Sequence, residues 1–320
     1  TRAVIDDAVK TGFNVLRFWL FQNRETALMI NKLNEICDMV HAHGIKLIVS
    51  LADKWGYLQN YNIDEQWYKS AYKKGYLKYV KEVTAACRLR DEIMIWELIN
   101  EPETDSFDSF FNFVKHTSEE IKSVNPNHLL SLGTVGGIGD KFGSRFSIFR
   151  KSNFRKLYSL PSLDAVSLHD YSYDSGIFER LGVLHRFRGN IKRAKFYEKA
   201  ARASESSLRW IDNLFLKRNS LVHLPITLRA VWNFYNKMDI RFAKEIAKPV
   251  YIGEAGFKKY IFRSRKKILE LDIREKFSMG VRGYVLWSFE SQGWNNDGHG
   301  YGFGINDGFE EIVKKWNNEL

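Results

Sequence analysis

Seven short apolar runs recur along the chain, and each is separated from the next by a stretch with helical apolar spacing. They are NVLRFWLF (14–21), IKLIVSL (45–51), IMIWELIN (93–100), LLSLGT (129–134), LDAVSLHDY (163–171), PVYIGEAG (249–256) and GYVLWSF (283–289). Runs that are apolar almost throughout suit strands covered on both faces. Strands alternating with helices call for a parallel sheet. Residues 1–10 read as the end of a helix, and further helical spacing covers 27–44, 69–88, 107–124, 263–279 and 309–316. No repeat or low-complexity linker marks a domain boundary.

The ends of these runs are polar. Arg17, Asn100, Glu101, His169, Tyr171, Glu254 and Trp287 all fall at or near carboxyl ends. In an eight-stranded (β/α) barrel that face carries the active site. Seven runs are one too few, and a chain that opens inside a helix places the first strand upstream. The expected fold class is therefore α/β, a (β/α)8 TIM barrel without its first strand. It would form a single catalytic domain over 1–320, with a helical, basic insertion at 172–248 before the seventh strand. An open doubly wound sheet would instead bind its ligand at a switch point. No glycine-rich phosphate loop follows an early strand, which weighs against it.

Charge narrows the partners. The 320 residues carry a net charge of +11, and 172–248 holds 16 Lys/Arg against 7 Asp/Glu. Such a patch is either a solvated helical surface or a site for a polyanion or membrane surface. No nucleic-acid partner is expected. Aromatic content is 15%, which suits a Trp-rich core or flat faces for stacking a ligand. Cys37 and Cys87 have no metal-ligand spacing and read as buried free thiols. No apolar run approaches a membrane span, no signal peptide is visible, and the first residue is Thr, which leaves room for a removed leader.

Glu101 and Glu254 each end a strand. Alone, either would be an ion-pair partner. Together at one barrel mouth, among Trp, Tyr, His and Arg, they suit glycoside hydrolysis, in which one carboxylic acid protonates the leaving oxygen. In a retaining enzyme the other carboxylate attacks the anomeric carbon, and the two lie about 5–5.5 Å apart. Arg17 beside Glu254 would keep that residue ionised, while burial would hold Glu101 protonated.

The motifs NVLRFW, WELINEP, LHDY, YIGEAG and LWSF, in this order between 14 and 289, resemble those of glycoside hydrolase family 5. That family belongs to a retaining clan with its glutamates on the fourth and seventh strands. The resemblance implies that Glu101 is the acid/base and Glu254 the nucleophile. It implies that Asn100 binds the sugar 2-hydroxyl, that Arg17 and Tyr171 orient Glu254, that His169 positions Glu101, and that Trp287 stacks under the sugar. TGFNVLRFWLF, GIKLIVSLADKWGYLQNY and WELINEPE look most like the mannan-cleaving members, endo-β-1,4-mannanases. Two features depart from the pattern: Ala255 follows the nucleophile where Phe is usual, and the basic insertion replaces a short segment.

The alternatives are a cellulase or other β-glucanase of the same family, or a non-catalytic carbohydrate-binding relative. The partner implied is a polysaccharide or oligosaccharide, with no cofactor and no metal. Asp, Asn and Gly in NNDGHG hint at calcium, but the spacing is not that of an EF-hand loop. A secreted or extracellular location follows from the resemblance. Trp55, with Tyr57 and Trp67, reads as a groove wall or as core; Trp294, with His299, reads as a subsite or as part of a glycine-driven loop. His41, His43, His116 and His128 lie in helix or turn contexts and read as surface residues.

Overall fold

The computed structural model describes residues 1–22, 24–56, 63–104, 106–135, 152–171, 185, 189–217, 228–259, 264–291 and 300–319. Among them are seven strands: β1 (Val15–Trp19), β2 (Lys46–Ser50), β3 (Ile93–Asn100), β4 (Leu129–Gly133), β5 (Val166–Asp170), β6 (Val250–Ala255) and β7 (Tyr284–Leu286). All pair in parallel, in the orders β1-β2-β3-β4 and β5-β6-β7. The Val135–His169 bridge joins the two groups, and the His169 N–H donates to the Thr134 carbonyl at 2.7 Å. The result is a (β/α) barrel.

Barrel closure is uneven. β6 is buried along its whole length, whereas every residue of β1 and β7 is half-buried. Among the described residues β1 and β7 share no ladder. A cavity of about 280 Å³ is lined by Val15 of β1, by Val285 and Leu286 of β7, and by Phe277 and Trp316. Ile48, Ile95, Ala165 and Tyr251, which pack into a small apolar cluster, line the same cavity. The larger core lies outside the strands, under the helices, with Trp96, Phe110, Phe113 and Tyr79 fully enclosed.

The helices are α1 (Arg2–Thr11), α2 (Thr26–His41), α3 (Glu65–Lys69), α4 (Tyr76–Ala86), α5 (Phe107–Val124), α6 (Ser152–Tyr158), α7 (Ile191–Lys217), α8 (Leu228–Glu245), α9 (Arg265–Ser278) and α10 (Glu310–Glu319). The continuous helix expected over 69–88 is instead α3, a short 3-10 turn at Ala71–Lys73, and α4. Ser70 and Gly75 leave helical geometry at the breaks, and Asp64 caps α3 through the Trp67 N–H at 2.8 Å. The last strand is also shorter than its apolar run. Its end turns away, and the Trp287–Ser288 peptide is cis.

α7 and α8 occupy the basic stretch between β5 and β6. No described helix is long and apolar enough to cross a membrane. Cys37 and Cys87 are both free and buried, and burial pushes their thiols up to about 12 and about 11. His128 is a correction to the surface reading: it is 8% exposed. It accepts the buried Trp96 indole N–H at 3.0 Å, because a buried indole needs an acceptor.

Candidate active site

Each functional side chain comes from a strand end, where the backbone ladder is still rigid but the side chain faces the barrel mouth. β3 shows how this is done. The Asn100 N–H donates to the Ala52 carbonyl and the Glu101 N–H to the Gly133 carbonyl, so pairing continues one residue past the strand. Pro102 has no N–H to extend it. At that boundary Glu101 takes a φ of +41°. A side-chain-bearing residue in the left-handed region costs about 1–3 kcal/mol. The following turn is pinned from outside, where Glu65 Oε2 accepts from the Thr104 hydroxyl at 2.8 Å and the Ser106 N–H at 3.1 Å.

Arg17 is the hub of the site. Its Nε donates to Glu97 Oε2 at 2.8 Å, Nη1 to Glu254 Oε1 at 2.6 Å, and Nη2 to Asn100 Oδ1 at 2.8 Å. The guanidinium is 2% exposed, so these bonds act in a water-poor environment. Burial would lower its pKa, but the charges of Glu97 and Glu254 more than reverse this and raise it. Glu97 is fully buried and also accepts the Tyr251 hydroxyl at 2.7 Å. Burial pushes its carboxyl up. The Arg17 charge and hydrogen bond outweigh that, so it stays ionised below its ordinary value. Burial, then the Glu97 charge, pushes the Tyr251 phenol well above its ordinary value and keeps it a donor.

The two strand-end glutamates meet above this hub. Oxygens of Glu101 and Glu254 and a ring nitrogen of His169 lie within 4.8 Å of one another. Tyr171 donates its hydroxyl to Glu254 Oε2 at 2.8 Å. The Trp55 indole N–H donates to Glu101 Oε2 at 2.8 Å. His169 Nδ1 sits 3.1 Å from Glu101 Oε1 and 3.4 Å from Glu254 Oε2. Facing two acceptor groups, Nδ1 is assigned the ring proton. Nε2 is buried and has no hydrogen-bond partner.

Two glycines make room for these groups. A Cβ at Gly133 would lie 3.0 Å from Arg17 Nη2 and 3.2 Å from both Glu97 Oε2 and His169 Nε2. One at Gly253 would lie 2.3 Å from Ser167 Oγ and 3.2 Å from the His169 ring. Trp287 stacks on Trp19 at 5.0 Å, and Trp19 on Phe21 at 5.3 Å. One face of Trp287 is therefore backed by protein.

The structure thus brings together Arg17, Trp55, Asn100, Glu101, His169, Tyr171 and Glu254. Trp55 differs from a simple groove wall, because its N–H is bonded to Glu101. Trp67 is core, packed on Tyr76 at 5.2 Å and Phe113 at 5.0 Å. Trp294 and His299, like Tyr57 and the rest of NNDGHG up to Gly298, lie outside the described residues. Glu97, Asp53 and Trp19 are site residues that sequence reading missed. Asp53 is fully buried and accepts the Asn100 amide at 2.9 Å.

Glu101, His169 and Glu254 are also spaced as a cation site would be. Arg17, however, already supplies a positive charge 2.6 Å from Glu254. A second cluster, His41, Asp91 and Glu92, has the Lys46 ammonium 3.3 Å from Asp91.

A (β/α) barrel with two carboxylates facing each other at its carboxyl-end mouth is an arrangement suited to glycoside hydrolysis. The model of the cellulase family, glycosyl hydrolase family 5, matches residues 1–211, and the chain belongs to that family. Mannan endo-1,4-beta-mannosidase F of Aspergillus fumigatus is 29% identical over 213 residues, which are 55% of this chain and 49% of that protein. The chain spans about half the length of the fungal relatives it matches. Among solved structures, the hyperthermostable endo-1,4-beta-D-mannanase of Thermotoga petrophila superposes with a TM-score of 0.73 at 20% identity. That match covers 100% of this chain and 95% of the other. An endo-beta-1,4-glucanase of Xanthomonas axonopodis gives 0.62 at 14% identity, covering 100% and 91%. At such identities the structural matches speak for the fold.

Proposed function

We propose that this barrel is a retaining glycoside hydrolase acting on β-1,4-linked polysaccharide, with β-mannan as substrate and endo action. The observation that carries the reading is the spacing of Glu101 and Glu254. Oxygens within 4.8 Å fit the short separation of a nucleophilic pair. An inverting pair stands about 6.5–9.5 Å apart to admit a water.

In this reading Glu254, ionised against Arg17 and steadied by Tyr171, attacks the anomeric carbon. Glu101 gives its proton to the departing glycosidic oxygen. A glycosyl-enzyme forms on Glu254. Glu101, now a carboxylate, takes a proton from water, which attacks the same carbon and releases Glu254. Asn100 is held by Arg17 and Asp53 so that its amide faces the sugar 2-hydroxyl. Trp287, backed by Trp19, forms the platform under the ring. His169, with Nδ1 turned toward both carboxyl groups, keeps them in register.

Mannan is favoured by the names of the fungal relatives. The glucanase among the structural neighbours favours a β-glucan as the second reading. A polymer too large to enter a cell implies an extracellular site of action. The test is hydrolysis of β-mannan, glucomannan and carboxymethyl-cellulose, with the first-formed anomer followed by proton NMR. Retained β product from mannan is expected. The α anomer would overturn the mechanism, and a preference for cellulose would overturn only the substrate.

A further inference from the structure

We propose that the first half of α7 is a docking face for an anionic phospholipid surface. The helix is anchored by its inner side: Ala194 and Ala201 are buried. The half-buried Tyr197 ring lies parallel to buried His185, with centroids 5.3 Å apart and planes 3° apart. The opposite side is exposed at Lys192, Lys195, Phe196, Lys199, Arg202, Ala203 and Ser206. At 3.6 residues per turn these positions fall on one strip. The strip carries four cations and no acid, since Glu198 lies at its margin, half-buried. Among the described residues, none of the four cationic groups has an ion-pair partner.

Charge alone would suit any polyanion. Phe196 decides the class. It is 65% exposed in the middle of the cations, and Ile191, at the start of the helix, is 48% exposed. A bare aromatic ring inside a cationic strip gains from a partner with an apolar phase beneath its charges. An anionic bilayer interface has that layering, and a soluble polyanion does not. The strip is also the convex side of one helix, which meets a flat surface better than it wraps a single chain.

The test is co-sedimentation of the full chain with phosphatidylcholine vesicles, with and without phosphatidylserine, at low and high salt. Binding should require phosphatidylserine and weaken with salt. Each neutralised cation should cost about fivefold, so Lys192→Ala/Lys199→Ala should bind about 30-fold more weakly. Phe196→Ser should lose about tenfold. Hydrolysis of a soluble oligosaccharide and the thermal midpoint should not change in either variant. Equal binding to both vesicle types would overturn the proposal, as would unaltered binding by Phe196→Ser. Salt-sensitive retention on an acidic polysaccharide without vesicle binding would overturn it in favour of a soluble polyanion.

Discussion

The ends of β3 and β6 hold the same functional group in opposite ways. Glu254 lies within a fully buried strand and meets a cation, Arg17, at 2.6 Å. Glu101 lies one residue beyond its strand, at a φ of +41°, and meets the N–H of an indole and an imidazole. One carboxylate is thus held by a permanent charge and the other by donors without one. The two roles proposed for them follow that difference in environment, since the residue type is the same.

The sharpest way to break this contrast is to remove each carboxylate in turn. Glu254→Gln should lose activity by about 10⁴-fold or more on every substrate. Glu101→Gln should lose about 10²–10⁴-fold on mannan. It should still release a dinitrophenolate, which leaves without a proton, in a rapid first burst. A burst in Glu254→Gln and none in Glu101→Gln would reverse the assignment.

Glu97→Gln tests the hub. It would leave the buried guanidinium with one carboxylate, Glu254, in place of two, at a cost of about 3–5 kcal/mol in unfolding free energy. The pH dependence has a defined sign. The folded-state pKa of Glu97 is depressed, so its contribution is present above its unfolded-state pKa. It is lost as pH falls through the folded value. A denaturation midpoint followed against pH should therefore have a flatter acid side in the variant than in the wild type.

The smallest effect is expected from Trp55→Phe, which keeps a ring but removes the N–H bonded to Glu101 Oε2. kcat/KM on mannan should fall by about tenfold, the worth of one hydrogen bond. An unchanged kcat/KM would show that this bond does not position Glu101.

The strands were legible because a doubly covered strand is apolar from end to end, and each of the seven runs contains one. Glu101 and Glu254 were legible as strand-end polar residues, since nothing in a core explains them. The helix over 69–88 was misread because its apolar spacing runs through Ser70 and Gly75, whose backbone departures spacing does not report. Glu97 was missed for a different reason. It sits inside IMIWELIN, where a familiar motif drew attention to its end. A signal was present: β1 and β3 each carry a single charged residue within a mostly apolar strand, Arg17 and Glu97. Lone buried charges demand each other. Asp53 and Trp19 left no such mark, because their partners are set by how neighbouring strands line up.

The left-handed backbone at Glu101 also has a consequence for inheritance. Glycine fits that backbone without cost, and asparagine with little. At this codon, selection for a well-folded chain and selection for a working enzyme pull apart. A lineage released from the need to cut sugar would gain stability by a single substitution there. Inactive descendants of such a barrel should therefore be sturdy proteins rather than ruins, and a screen that rewards solubility alone would enrich them.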